Sequence, residues 1–364
     1  MNPSPARVRP RLLRWFDTHR RDLPWRTNRD PYAIWVSEVM LQQTTVATVT
    51  SRFQPFLDRF PNVESLATAD EADVLRQWQG LGYYRRARNL HRAAQTIVAE
   101  HGGIIPDELE VWLSLPGVGR YIAGAVLSQA FERRVPIVDT NVQRVLCRLY
   151  GKDGDPKTSA INAWLWSTAN GLLPRKRVGD FNQGLMELGA LVCTPTEPKC
   201  DTCPMQRECV ARAKGTQSEL PSRGKPIKIT ELQEVTVVVR DGDRVLVGQR
   251  AVNVRWANMW EFPNIEPDPC EPIDLTASRL VREKLKLDVS DIRPLDLTIK
   301  YAVTRYRTTM TCYEGIYRAG EPLFMCYTHM KWVKLTELEI LPMSSPQRRL
   351  VAALSKSQRQ LRLF

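Results

Sequence analysis

The sequence predicts a mainly α-helical domain followed by a smaller α+β domain, and three observations carry that prediction. From residue 12 to about residue 213 apolar residues recur with an approximate 3.6-residue period, broken only by short loops. The stretch Lys214 to Glu231, with Gly215, Pro221, Ser222, Gly224 and Pro226 among lysines, then interrupts the pattern as a linker would. Beyond it the apolar residues alternate with period two, the signature of strands. A chain of 364 residues is the length two domains require.

The elements follow in order. Met1 to Arg11 holds Pro3, Pro5, Pro10 and arginines with no apolar run, so no secretory signal is expected. No segment approaches the roughly 20 apolar residues of a membrane span. Val36, Val39, Met40, Val46, Val49, Phe53, Phe56, Leu57 and Phe60 predict one long amphipathic helix or two. Further helices are predicted over Val74 to Leu81, Ala87 to Glu100, Tyr121 to Phe131, Val142 to Leu149 and Ile161 to Leu173. In the second domain, Val235 to Val239 and Val245 to Val247 flank Asp241-Gly242-Asp243, a hairpin signal. One helix over Leu275 to Leu287 and alternating segments near Ile292 to Val303, Thr308 to Tyr317 and Met330 to Val333 complete it. The expected division is residues 1–213, a linker 214–231, a second domain 232–343 and a tail 344–364.

Charge and cysteines narrow the chemistry. Lys+Arg 52 against Asp+Glu 40 leaves a net charge of +12, which favours a polyanionic partner, nucleic acid before an anionic membrane surface. Four of the eight cysteines form Cys193-x6-Cys200-x2-Cys203-x5-Cys209, four soft donors within 17 residues. Such donors select an iron–sulfur cluster or zinc. Zinc sites usually pair two C-x2-C units, whereas the gaps here are six, two and five, so the spacing favours a [4Fe–4S] cluster. Zinc and plain thiols or disulfides are the other readings. With no second redox site in the chain, a structural role suits the cluster better than electron delivery. Cys147, Cys270, Cys312 and Cys326 lack such spacing and are expected to be core thiols.

Leu115-Pro116-Gly117-Val118-Gly119-Arg120-Tyr121 lies between two helical patterns. Its glycines permit a sharp turn and close backbone approach, and a helix starting near Arg120 points its free N–H groups at the turn. That makes Gly117, Val118 and Gly119 a candidate site for a backbone phosphate, unless the segment is only a tight helix–helix turn.

A helix-hairpin-helix followed by this cysteine spacing resembles the helix-hairpin-helix DNA glycosylase superfamily. Leu23-Pro24-Trp25-Arg26, Trp35-Val36-Ser37-Glu38-Val39-Met40-Leu41-Gln42-Gln43-Thr44, Gly80-Leu81-Gly82-Tyr83-Tyr84 and Val138-Asp139-Thr140-Asn141-Val142 are similar to motifs of its adenine DNA glycosylase (MutY) family. The resemblance continues into a Nudix-like C-terminal domain. It implies a mainly α-helical helix-hairpin-helix glycosylase domain with an iron–sulfur cluster loop at 193–209, plus an α+β Nudix-like domain. It also implies a monomer acting on double-stranded DNA with A·8-oxoguanine or A·G mismatches; a cytoplasmic location, with the nucleoid if bacterial, is expected only from the lack of targeting segments. Where bifunctional relatives carry a lysine, this chain has Tyr121, and a phenol cannot form a Schiff base with the sugar. The product is then an abasic site without strand cleavage.

Breaking the bond from adenine to deoxyribose calls for one protonated and one ionised carboxyl group. The family pattern assigns the acid to Glu38, protonating N7 of adenine, and the stabilising carboxylate to Asp139. Burial among Trp35, Val36, Val39 and Met40 would raise the pKa of Glu38, while a first-turn position at a helix N-terminus would lower it. Asp139, just before Thr140-Asn141 and a helical run, is also an expected N-cap. The resemblance further implies Gln43 and Tyr83 as wedges in the duplex. Trp25, Arg26, Leu41 and Tyr121 would surround the extruded base, Asn141 would order a water or Asp139, and Gln183 would face the base. Gln42 and Thr44 flank the wedge as further DNA contacts.

In the second domain Gly248-Gln249-Arg250 and Trp260-Glu261-Phe262-Pro263 match the Nudix-like pattern, but Arg282-Glu283-Lys284-Leu285-Lys286 has lysines where a magnesium-holding box has acids. No pyrophosphohydrolase activity is expected. The lesion-reading loop corresponds to Tyr301-Ala302-Val303-Thr304-Arg305-Tyr306, where Thr304 and Arg305 are the candidate contacts; a solvent-exposed strand is the plain alternative. Two other functions fit less of the sequence: a thymine glycosylase acting on T·G mismatches, and a non-catalytic iron–sulfur DNA-binding protein.

Overall fold

The computed structural model describes residues 3–222, 224, 228–252, 254–323 and 327–361. In chain order the helices are α1 (Pro5–His19), a 3₁₀ turn (Pro24–Arg26), α2 (Pro31–Leu41), α3 (Val46–Arg59), α4 (Val63–Ala67), α5 (Glu71–Gln77), α6 (Arg85–His101), α7 (Leu109–Ser114), α8 (Arg120–Phe131), α9 (Thr140–Tyr150), α10 (Ser159–Leu172), α11 (Val178–Leu191) and α12 (Val210–Lys214). The strands β1 (Thr230–Asp241), β2 (Arg244–Arg250), β3 (Trp260–Glu261) and β4 (Asn264–Ile265) precede α13 (Ile273–Arg279), and β5 (Asp288–Val303), β6 (Tyr306–Ala319) and β7 (Tyr327–Lys334) precede α14 (Ser345–Leu361). Two compact units result: Met1–Ala69 with Arg86–Pro226, and Asp70–Arg85 with Ile227–Phe364. Among the described residues no helix is long and apolar enough to cross a membrane.

In the first unit the segment from Val36 to Phe60 is two helices, parted by the turn Gln42–Thr45. Asp30 starts α2 by accepting from the Tyr32 N–H at 3.0 Å, with Pro31 at the first helical position where its missing N–H costs nothing. Every residue of α2 from Tyr32 to Met40 is buried, so it is the central helix of the unit, packed against α8 and α3. A second core joins α1, α9, α10 and α11 through Leu12, Phe16, Leu146, Leu165, Phe181 and Leu185. The approach of α9 to α11 depends on Gly189, where a Cβ would lie 2.6 Å from the Cβ of Asn141.

The second unit is a twisted sheet in the order β3-β2-β1-β6-β5, with β4 on β1 and β7 on β2. The predicted hairpin is present as the two-residue turn Gly242-Asp243, Gly242 supplying the left-handed φ of 59°. Its central pair, β1 with β6, is parallel, and both faces are covered: Val235, Val237 and Val239 pack on α13, while Val238, Met310 and Cys312 share a core with Leu350, Val351 and Leu354 of α14.

Three expectations need correction. The segment 344–364 is no tail, because α14 contributes three buried apolar residues to the sheet's core. Cys270 is exposed in a turn with φ 66°, while Cys147 and Cys312 are buried as expected and Cys326 lies outside the described residues. The single helix expected over Leu275 to Leu287 starts earlier, at Ile273, is α-helical only to Arg279 and changes to a π-turn over Leu280–Lys284.

Candidate active site

A cavity of ≈ 240 Å³ opens in the first unit, walled by the 3₁₀ turn, α2, α8, the cap of α9 and α11. Glu38 and Asp139 both line it, 101 positions apart in sequence. Trp25, Arg26, Leu41, Thr44, Tyr121, Asn141 and Gln183 line it too.

Glu38 belongs to the last turns of α2, not its first, so the helix dipole there disfavours the carboxylate. Oε2 accepts from the Tyr121 hydroxyl at 2.6 Å and Oε1 from Gln129 Nε2 at 3.0 Å. Burial pushes the Glu38 carboxyl above its ordinary range; Tyr121, Gln129 and the Arg26 charge oppose the rise, and Asp139 adds to it. The Tyr121 phenol is driven well above its usual value by burial and by both carboxyls, so it remains a donor.

Asp139 caps α9: Oδ1 accepts from the Val142 N–H at 2.7 Å and Oδ2 from Asn141 Nδ2 at 2.8 Å. Burial raises its pKa as well, against the pull of those two donors and of Arg144. Cap and site member are thus one residue. Asn141 in turn accepts from Arg144 at 2.8 Å, and Arg144 donates to the Cys193 carbonyl at 2.7 Å and the Gly189 carbonyl at 2.8 Å.

Other candidates stand outside the cavity. Gln42 ends α2 and Gln43 sits beyond it at φ 58°, in a turn held by Arg86, which donates to the Val39, Met40 and Gln42 carbonyls. Gly117 has φ 75°, and a Cβ there would meet Asn89 at 2.4 Å, so glycine is required. Gly119 has an ordinary φ of −109° and open space around it, so it serves close approach instead of the turn. The first turn of α8 has no side-chain cap, which leaves its N–H groups for an anion, while the Val118 N–H is taken by the Leu115 carbonyl at 3.2 Å. Tyr83 belongs to the second unit, 40% exposed with φ 47°. Thr304 and Arg305 form the two-residue turn between β5 and β6, not an exposed strand, with Thr304 at φ 53° and the Arg305 guanidinium on the Tyr306 hydroxyl at 2.8 Å. Tyr301 is engaged elsewhere, donating to Glu234.

The sequence reading missed Arg21, Leu23, Val46, Gln129, Met186, Glu187 and Ala190 in the cavity wall. Glu187 is the most consequential: fully buried on α11, it pairs with Arg21 at 2.9 Å and with Arg26. A lone carboxylate inside Leu185-Met186-Glu187-Leu188 was the available signal.

The four cysteines converge in the loop after α11. Burial pushes the Cys203 thiol up to about 12, with smaller contributions from Cys193, Cys209 and Cys200, and raises Cys200 and Cys209 as well. Among the described residues no group of three or more His, Cys, Asp or Glu side chains stands close enough to hold a metal ion. Arg148 binds this loop to α9: it is 3% exposed and donates to the Leu220 carbonyl at 2.9 Å, Thr194 at 2.7 Å, Pro195 at 3.2 Å and Cys193 Sγ at 3.5 Å. Arg148→Met leaves these carbonyls unpaired and is expected to cost about 3 kcal/mol, read as a lowered urea midpoint.

A helical unit with a glycine hairpin, a paired-carboxyl cavity and a cysteine loop defines a base-excision glycosylase fold. Known proteins agree. The family model for an HhH-GPD superfamily base excision DNA repair protein matches residues 36–170, and that for a NUDIX domain matches residues 235–353. The adenine DNA glycosylase of Buchnera aphidicola subsp. Acyrthosiphon pisum is 38% identical over 258 residues, 70% of this chain and 73% of that protein. The Homo sapiens adenine DNA glycosylase is 36% identical over 320 residues, and the chain spans 59% of its length. The solved structure of a thermostable thymine-DNA glycosylase superposes with TM-score 0.53 at 33% identity, over 56% of this chain and 94% of that one. The chain belongs to the adenine DNA glycosylase family.

Proposed function

We propose that this protein excises adenine mispaired with 8-oxoguanine or guanine in duplex DNA, leaving an abasic site for base excision repair. The observation that carries it is the meeting of Glu38 and Asp139 on one cavity, with a phenol at the position where a lysine would cut the strand. The hairpin N–H groups hold a phosphate, Gln43 enters the gap in the stack, and the base turns into the cavity beside Trp25, Arg26, Leu41 and Gln183; Tyr83, in the second unit, is a further duplex contact. Gln42 and Thr44 steady the wedge turn.

Glu38, kept protonated by burial, gives its proton to N7; the electron pair of the C1′–N9 bond leaves with the base. Asp139, ionised, offsets the positive charge on the sugar, and Asn141 holds its geometry. Water then bonds to C1′ and its proton returns to the carboxyl pair. Glu187 and Gln183 present polar groups to the base edge.

Cys193, Cys200, Cys203 and Cys209 would hold a [4Fe–4S] cluster, which would supply a rigid clamp on the loop. Thr304 and Arg305 of the second unit contact the opposite strand, where Arg305 offers donors to an 8-oxo group. The similarity to a thymine-DNA glycosylase supports one other substrate, T·G, although thymine has no N7 to accept the proton.

Labelled duplexes carrying A·8-oxoguanine, A·G or T·G separate these readings. Adenine released from the first two, with breaks only after alkali, is the expected result. Thymine released without adenine overturns it.

A further inference from the structure

Both oxygens of Glu38 are occupied by side chains of a single helix. Tyr121 and Gln129 are eight residues apart on α8, about 12 Å along its axis, yet converge on one carboxyl. Gln129 is buried beside Ser128 and Ala130 in the apolar second half of α8, and it lines the cavity. A buried amide without a partner is costly, and the partner this one meets is the acid.

The groups that face Glu38 come from every wall. The 3₁₀ turn brings Arg26, α8 brings Tyr121 and Gln129, the α9 cap brings Asp139, and α11 brings Glu187, itself paired with Arg21 and Arg26; α3 contributes Val46. Among the described groups, Gln129 touches Oε1 without ever changing charge.

We infer that Gln129 is a positioning residue for the acid: its amide fixes Oε1 so that the carboxyl proton points into the cavity, and it holds the carboxylate that remains after the proton has left. When the Glu38 O–H bond breaks and the N7–H bond forms, the electron pair stays on the carboxylate, where the Gln129 N–H and the Tyr121 O–H bind it more strongly than the neutral acid. Gln129 therefore drives the transfer and sets the pH above which the acid is spent. The inference rests on Glu38 being the proton donor.

Two variants test it. Gln129→Leu keeps the volume and removes the donor, while Gln129→Glu keeps the shape and places a second carboxyl beside the first. The ¹³C resonance of the Glu38 carboxyl, assigned by its loss in Glu38→Gln, is followed against pH in the full-length protein. Its midpoint is expected to rise by about one to two pH units in Gln129→Leu, and further in Gln129→Glu as the two carboxyls share a proton. The alkaline limb of single-turnover adenine release should move by the same amount, with the plateau about tenfold lower. A merely structural Gln129 would lower the rate equally at every pH with both midpoints unmoved, and that result overturns the inference. If the midpoints shift but wild-type protein frees no adenine, the functional reading fails and the role of Gln129 toward Glu38 stands.

Discussion

Glu38→Gln is expected to slow adenine release by about 10²–10⁴-fold, the contribution of a positioned general acid, while affinity for the mismatched duplex stays within twofold. The amide fits the same place. The Tyr121 hydroxyl both donates and accepts, and the Gln129 amide can turn, so neither loses its partner. What disappears is the proton. Stability should move the other way. Glu38 holds its proton more tightly in the folded chain than in the unfolded one, where its pKa is near 4.5. Above that pH the folded state keeps a proton the unfolded state has lost, so wild-type stability falls as pH rises until the folded pKa is passed. Glu38→Gln escapes this loss: its urea midpoint should exceed the wild type's at pH 7.5 and match it below about pH 4.5. A variant with near-normal release, or one that no longer binds the mismatch, would remove Glu38 from the acid's role.

The site was legible where sequence and chemistry coincide locally. Four thiols in one loop, a glycine turn before a helix, and an aspartate two residues ahead of an asparagine are short-range patterns, and each forms a local element. Gln129 and Glu187 are hidden because each lies in a mainly apolar stretch, Val126-Leu127-Ser128-Gln129-Ala130 and Leu185-Met186-Glu187-Leu188, and only the packing of α2, α8 and α11 shows which way it faces. The position of Glu38 was misread for a related reason. Continuous burial of α2 erased the period that would have marked its ends, and Pro31 was the sign of its true start. In the second unit the hairpin at Gly242 is readable, but the parallel pairing of β1 with β6 joins residues 76 positions apart, as in Thr230 with Tyr306. The helix α14 lies where the charged, weakly patterned end of the sequence suggests a tail, although Leu350, Val351 and Leu354 carry a helical spacing.

Asp139→Asn is expected to cost about 10³-fold in adenine release, the scale of a lost electrostatic stabiliser of the transition state. Asparagine is as good an N-cap as aspartate, so the Val142 N–H keeps an acceptor and α9 should stay intact. On the other branch the new amide would point its N–H₂ at the Asn141 N–H₂, so one of them must turn. If Asn141 turns, it presents N–H₂ to Arg144, and the bond now made at 2.8 Å is lost. The pH profile separates charge from geometry. Burial raises the Asp139 pKa above its usual 3.8, so in the wild type the rate falls as pH drops through that raised value and the carboxylate is neutralised. In Asp139→Asn the residual rate has no such acid limb, while the alkaline limb set by Glu38 remains, shifted to lower pH because a neighbouring negative charge is gone. An unaltered acid limb in the variant would mean that another group carries the negative charge beside the sugar.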